Sequence, residues 1–224
     1  MDVNITQFNV QLYFRQPVLD SEVLKDAFGA PEGFAPSKIA EDYGNHPMQG
    51  TVSFYREGFR IMPVQSNVLP FRILQVMSYP NALKNPDQET LYCLQHVFSK
   101  LGQARIDVEK DVYAVRVVFH SIVTGNVQRM LSRLSAIDAI PTLSGKYVAH
   151  KNPMDALQLV SKTGDELSQP SWSDIRISQF NSNSYVVTIF NETDSTDKSL
   201  NFIKNVKQFV ATLMQEMEAA LQSR

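Results

Sequence analysis

The sequence predicts an α+β protein: a mixed, largely antiparallel sheet with helices packed on one face. Three observations carry that expectation. Segments with period-2 alternation recur along the chain, several are joined by short polar turns, and helical stretches between them keep their apolar residues on one stripe.

Residues 3–15 alternate as a strand, with Phe8, Val10, Leu12 and Phe14 on one side and Asn9, Gln11, Tyr13 and Arg15 on the other. Val3 and Ile5 are out of phase with the first set, so a bulge is expected near Thr6-Gln7. A short helix follows, capped by Asp20 or Ser21, striped by Val23, Leu24, Ala27 and Phe28, and ended by Gly29. Residues 29–50, with four glycines and three prolines, have no period and read as a long loop. Residues 51–56 and 59–65 form a hairpin turned at Glu57-Gly58, and 69–77 a third strand.

The second helix starts at Asn85-Pro86, where asparagine caps, proline suits the first helical position and Gln88 completes a capping box. Leu91, Leu94, Phe98 and Leu101 line it, and Gly102 stops it. Strand character returns at Ile106 and over 112–123, with Asp107, Glu109, Lys110 and Asp111 between them as a polar hairpin turn. A helix from Asn126 carries Val127, Met130, Leu131, Leu134 and Ile137. A shorter one from Asn152 carries Met154, Leu157 and Val160 as far as Gly164. A hairpin over 175–180 and 185–190 leads to a final helix over 198–221. Ile203, Val206, Val210, Leu213 and Met217 follow its seam, widened by Phe202 and Phe209.

The halves 1–102 and 103–224 share the order strand, short helix, strands, longer helix, which suggests a pseudo-repeat inside one domain spanning 1–224. That order resembles the saddle-shaped TATA-binding fold, as an analogy of element order carried by no motif residue. A helix-grip fold, one sheet wrapped on the long final helix, is the alternative.

Composition narrows the function classes. Of 224 residues, 43% are hydrophobic and the formal net charge is -2, which argues for a folded domain and against a global basic footprint for nucleic acid. A single cysteine, Cys93, cannot form an internal disulfide, so a reducing, cytoplasmic location is expected. The most apolar run, 112–123, is interrupted by Arg116 and His120 and falls short of the roughly 18 residues of a membrane helix; no membrane role is expected.

Signatures of chemistry are weaker still. Cys93 and His96 stand three apart on one helix face, but no second pair completes a zinc set, so no metal is assigned. There is no Gly-x-Ser-x-Gly elbow and no glycine-rich phosphate loop; neither a catalytic residue nor a cofactor is assigned. The acids Asp107, Glu109 and Asp111 leave a hydrolase or nuclease as the third reading.

The feature that points to function is the placement of arginine. Arg15, Arg60, Arg72, Arg116 and Arg176 each fall out of phase with the core residues of their strands, as do Tyr13, Tyr55 and His120. Acids such as Asp20, Asp87, Glu89, Asp194 and Glu216 gather in helices and loops, so a near-neutral chain can still present a basic sheet face. Arginine with aromatics is the composition of binding hot spots. The expected function is a non-enzymatic binding or assembly subunit. It would recognise a protein partner, or self-associate, through this exposed Arg/Tyr-bearing face. Nucleic-acid binding through the same face is the second reading.

Overall fold

The computed structural model describes residues 2–29, 35–38, 52–64, 68–69, 71–125, 147–151, 157–161, 172–181 and 183–222. The elements run β1 (Val3–Phe14), α1 (Ser21–Phe28), β2 (Ala35–Lys38), β3 (Val52–Arg56), β4 (Phe59–Pro63), β5 (Ile73–Ser78), α2 (Pro86–Gln103) and α3 (Val108–Asp111). After these come β6 (Val112–Thr124), β7 (Tyr147–Lys151), β8 (Leu157–Ser161), β9 (Trp172–Asn181), β10 (Ser184–Thr193) and α4 (Thr196–Gln222).

All ten strands join one sheet in the order β2-β3-β4-β5-β1-β6-β10-β9-β8-β7. Each described pairing is antiparallel. The two long strands β1 and β6 lie side by side at its centre. Outward from them the order is β5, β4, β3, β2 on one side and β10, β9, β8, β7 on the other.

Alternation decides which face is buried. Phe8, Val10, Leu12 and Phe14 of β1 share a face with Val115, Val117 and Phe119 of β6, and with Tyr185, Val187 and Ile189 of β10. Helices cover that face: Leu24 and Phe28 of α1, Leu94 and Val97 of α2, and Val206, Val210, Leu213 and Met217 of α4 join one apolar cluster with it. The sheet is thus shared by α2 and α4, which touch each other, rather than wrapped on the final helix alone.

Local chemistry sets the element ends. The register of β1 on β6 shifts between Ile5 and Gln7, the bulge that the phase change requires. Asp20 caps α1 by accepting from the backbone of Glu22 and Val23. The β3–β4 turn uses positive φ at both Glu57 and Gly58, so any side chain at Gly58 would be strained. At α2, Asn85 makes no side-chain cap. Glu89 instead reaches back to the backbone N–H groups of Lys84 and Asn85, so Glu89 rather than Gln88 closes the first turn.

Four further expectations need correction. Residues 107–111 are a helical turn, not a hairpin turn: Asp107 caps α3 and its backbone N–H is taken by the Asp111 carboxylate. Gly102 lies inside α2, which runs to Gln103. Residues 157–161 are strand rather than helix. Leu157 and Leu159 point into the core while Gln158 and Val160 do not, an alternation that cross-strand pairing enforces. Part of the long loop, Ala35–Lys38, pairs with β3. The helix expected from Asn126 lies outside the described residues.

Candidate binding face

Among the described residues no helix packs on the second face of the sheet, which is where the outward side chains gather. Cross-strand register orders them in rows. One row runs Tyr55, Arg60, Met77, Asn9, Val118, Phe190, Asp174. A second runs Met62, Gln75, Gln11, Arg116, Glu192, Trp172. A third, on the other side of the first, runs Gln7, His120, Thr188, Arg176. Nearly all of these are half-buried, as residues on a flat sheet face are, while Asp174 is only 1% exposed.

Three of the five sequence-selected arginines meet here, each laid over an aromatic ring. Arg60 stands 5.9 Å from the centroid of Tyr55, Arg116 5.5 Å from Tyr13 and Arg176 4.8 Å from Phe190. Tyr55 in turn stacks on Tyr79 with centroids 6.2 Å apart, and Tyr13 meets Tyr113 edge-on at 6.2 Å. The guanidiniums are held from one side. Arg60 donates Nε to Ser53 Oγ at 3.4 Å. Arg116 gives Nε and Nη2 to Glu192 Oε2 at 2.9 and 2.7 Å, and Arg176 gives the same pair to Asp174 Oδ2 at 3.1 and 2.9 Å. Gln158 adds a third donor to Asp174 Oδ2 at 3.0 Å.

The other two arginines sit elsewhere. Arg15 is exposed past the end of β1, where its Nε donates to the Lys110 carbonyl at 3.3 Å. Arg72 precedes β5, and its carbonyl accepts from Phe14 N at 2.8 Å. It therefore stands opposite a core residue and shares the helix-covered side; the outward set of β5 is Ile73, Gln75 and Met77. The two carboxylates also correct the expected charge asymmetry. Glu192 and Asp174 lie on the sheet face itself, each held by an arginine, so three guanidiniums face two carboxylates rather than none.

His120 lies at the centre of the face, its Nδ1 3.0 Å from Thr188 Oγ1. Burial lowers its pKa below the ordinary imidazole value. The unfolded chain then binds more protons than the folded one from about pH 6.5 downward, so stability falls as pH drops through that window. His120→Gln is expected to flatten the decline in urea-unfolding stability between about pH 7 and pH 5. An unchanged slope in the variant counts against this role. Tyr13 donates its hydroxyl to Gln11 Oε1 at 2.8 Å, and burial raises its pKa despite the nearby Arg116.

The residues weighed for chemistry are otherwise engaged. Asp107 accepts from the Lys110 backbone and pairs with Lys110 Nζ at 3.0 Å, and that hydrogen bond holds its carboxyl below the usual range. Among the described residues no three His, Cys, Asp or Glu side chains stand close enough to share a metal ion. Cys93 is buried beside a cleft of about 240 Å³ that Arg56, Glu89 and Tyr92 help to line. Burial pushes its thiol up to about 12 against the opposing pull of Arg56. Iodoacetamide is therefore expected to label Cys93 only after unfolding in urea; stoichiometric labelling of the folded protein contradicts the buried placement.

Sequence reading missed Glu192, Asp174 and Phe190 as parts of the face. The signal for them was present in strand phase: Phe190 and Glu192 alternate with Ile189, and Asp174 with Ile175.

No helix among the described residues is long and apolar enough to cross a membrane. No family model matches the chain, and no curated protein matches it. Among solved structures it is similar to DynU16, from the dynemicin biosynthetic locus, at 10% identity and a TM-score of 0.32 over 96% of this chain and 99% of that one. It is also similar to the di-domain ARO/CYC StfQ of the steffimycin biosynthetic pathway, at 11% identity and a TM-score of 0.25 over 97% of each chain. Similarity at this level transfers neither activity nor substrate.

Proposed function

We propose that this protein is a non-enzymatic binding or assembly subunit that docks a protein partner on the outer face of its sheet, in the cytoplasm. The observation that carries the reading is the set of three arginines, each pinned over an aromatic ring and anchored through Nε, around a mostly apolar row of half-buried Met77, Asn9, Val118 and Phe190. An apolar centre with a charged rim is the anatomy of protein interfaces, and donors fixed before binding lose less entropy when a partner arrives. The carboxylates of Glu192 and Asp174 offset two of the guanidiniums, which favours a protein over a polyphosphate backbone as ligand.

The test is capture from an extract of the source cells by the immobilised protein and by a variant with Arg60→Glu and Arg116→Gln. A protein retained by the first and lost by the second supports the reading; equal retention by both refutes it. Salt separates the second reading. Nucleic acid held through phosphates weakens linearly in log-log form with a steep slope, whereas a protein partner shows salt effects mainly in its association rate.

A further inference from the structure

We infer that the partner received by this face is a second copy of the chain, stacked sheet to sheet about a two-fold axis along the seam between β1 and β6. The inference rests on the docking reading above and names the occupant. Its first ground is a pair of unmet groups. Arg60 gives Nε to Ser53 and lies over Tyr55, and no carboxylate among the described residues accepts from its Nη groups. Asp174 takes Arg176 and Gln158 on Oδ2, whereas its Oδ1 is buried without a donor among the described residues. A buried carboxylate oxygen left unpaired is costly, so a donor arriving there is favoured.

The two groups are placed symmetrically. Both lie in one cross-strand row, each on the third strand from the seam: Arg60 on β4, beyond β1 and β5, and Asp174 on β9, beyond β6 and β10. A two-fold axis along the seam lays one half of the sheet over the other half of the second copy. Each Arg60 then falls opposite the other copy's Asp174, once on either side. At about 4.8 Å between strands both stand about 12 Å from the axis. Reaching Oδ1 requires the side chains over Asp174 to part, as interface side chains commonly do on binding.

The neighbouring positions match under the same operation, which is the second ground. In the row of Arg60, Met77 faces Phe190, and Asn9, whose Oδ1 already accepts from Gln75, faces Val118. In the next row Met62 faces Trp172, Gln75 faces Glu192 and Gln11 faces Arg116. Two thioethers thus meet two aromatic rings, and side-chain amides meet the existing Arg116–Glu192 pair. Because Arg116 and Arg176 already hold carboxylates, the face calls for no strongly charged partner; a like surface answers it, as an isologous contact requires. Size agrees as well. Six strands by four outward rows give a footprint of about 800 Å² per copy, the area of a standard stable interface. Sheets stacked in this way keep their strands within about 30° of each other, so the pairs nearest the seam hold register best.

The experiment is sedimentation equilibrium of the full chain at about 1 to 100 µM, where a specific pair of this size is expected to associate. The expected mass is twice the 25.3 kDa of the chain. Arg60→Glu sets a carboxylate against the other copy's Asp174 and is expected to weaken the dimer at least tenfold, while Arg60→Lys keeps it within about threefold. Proximity is read by mixing a Met77→Cys chain with a Phe190→Cys chain and adding a short bismaleimide, Cys93 being buried. The mixture is expected to cross-link more efficiently than the Met77→Cys chain alone, whose two thiols would stand about 14 Å apart across the seam. A monomer at every concentration overturns the second copy as occupant. So does a dimer that Arg60→Glu leaves intact, or one in which the mixture cross-links no better than the single chain. A monomer whose Arg60→Glu, Arg116→Gln variant still loses capture of another protein shows that the occupant alone is wrong. If the variant retains capture too, the docking face itself is wrong.

Discussion

Leu213→Ala is expected to cost about 2–5 kcal/mol of folding stability, read from the midpoint of urea unfolding at constant slope. Leu213 has no exposed surface and sits on the seam of α4 between Val210 and Met217, against the inward side chains of the sheet. Truncating it removes favourable transfer and leaves a void in the apolar cluster that α4 forms with the sheet, which the neighbouring side chains cannot close without moving. The same packing makes α4 part of the fold rather than a tail, because it covers β6, β10 and β1 and touches α2. Removing residues 198–224 is expected to abolish cooperative unfolding. A truncated chain that still unfolds in one sharp transition, or a Leu213→Ala cost below about 1 kcal/mol, contradicts the assignment of α4 to the core.

The variant with Arg60→Glu and Arg116→Gln is expected to weaken capture of the partner at least ~30-fold, because hot-spot arginines contribute about 2 kcal/mol or more each. Folding should be affected by no more than about 1 kcal/mol. Arg60 has an aromatic ring and a serine hydroxyl for neighbours, so reversing its charge sets no like charges face to face. Glutamine at position 116 keeps a donor for the partly exposed Glu192, whereas glutamate there would repel it. Arg176 is left intact for a physical reason: Asp174 beneath it is 1% exposed, and orphaning a buried carboxylate would destabilise the fold and confound the binding result.

Much of the architecture was legible in strand phase. Phe8 to Phe14 and Val115 to Phe119 announce their inward sets by alternation alone, and the phase break before Phe8 locates the bulge at Thr6. The helix starts at Ser21 and Pro86 follow from Asp20 as a cap and from proline at the first helical position. Where reading failed, the deciding information was not local. Leu157 and Val160 suit a helix as well as a strand, and only pairing with β7 and β9 chooses between them. Arg72 was misplaced because β5 carries apolar residues on both phases, Ile73 and Met77 outward and Leu74 and Val76 inward, so alternation alone does not choose its face; the side Arg72 takes is fixed by its bond to Phe14. The carboxylates opposite Arg116 and beside Arg176 escaped notice because cross-strand neighbours depend on register, and a shift of one residue exchanges the two faces. Arg60, Arg116, Arg176, Tyr13 and His120 were therefore placed on one face from phase alone, while the charges that temper that face were not.

The most direct measurement of the docking claim is hydroxyl-radical footprinting of the protein with its captured partner bound. Tyr13, Tyr55, Met77 and Phe190 lie along the outer face, whereas Tyr92 stands 60% exposed on α2, which packs against the opposite face. Binding on the outer face predicts that the first four lose reactivity in the complex while Tyr92 keeps its own. Protection of Tyr92 with unchanged reactivity at Tyr13, Tyr55, Met77 and Phe190 would place the partner on the helices and contradict the account.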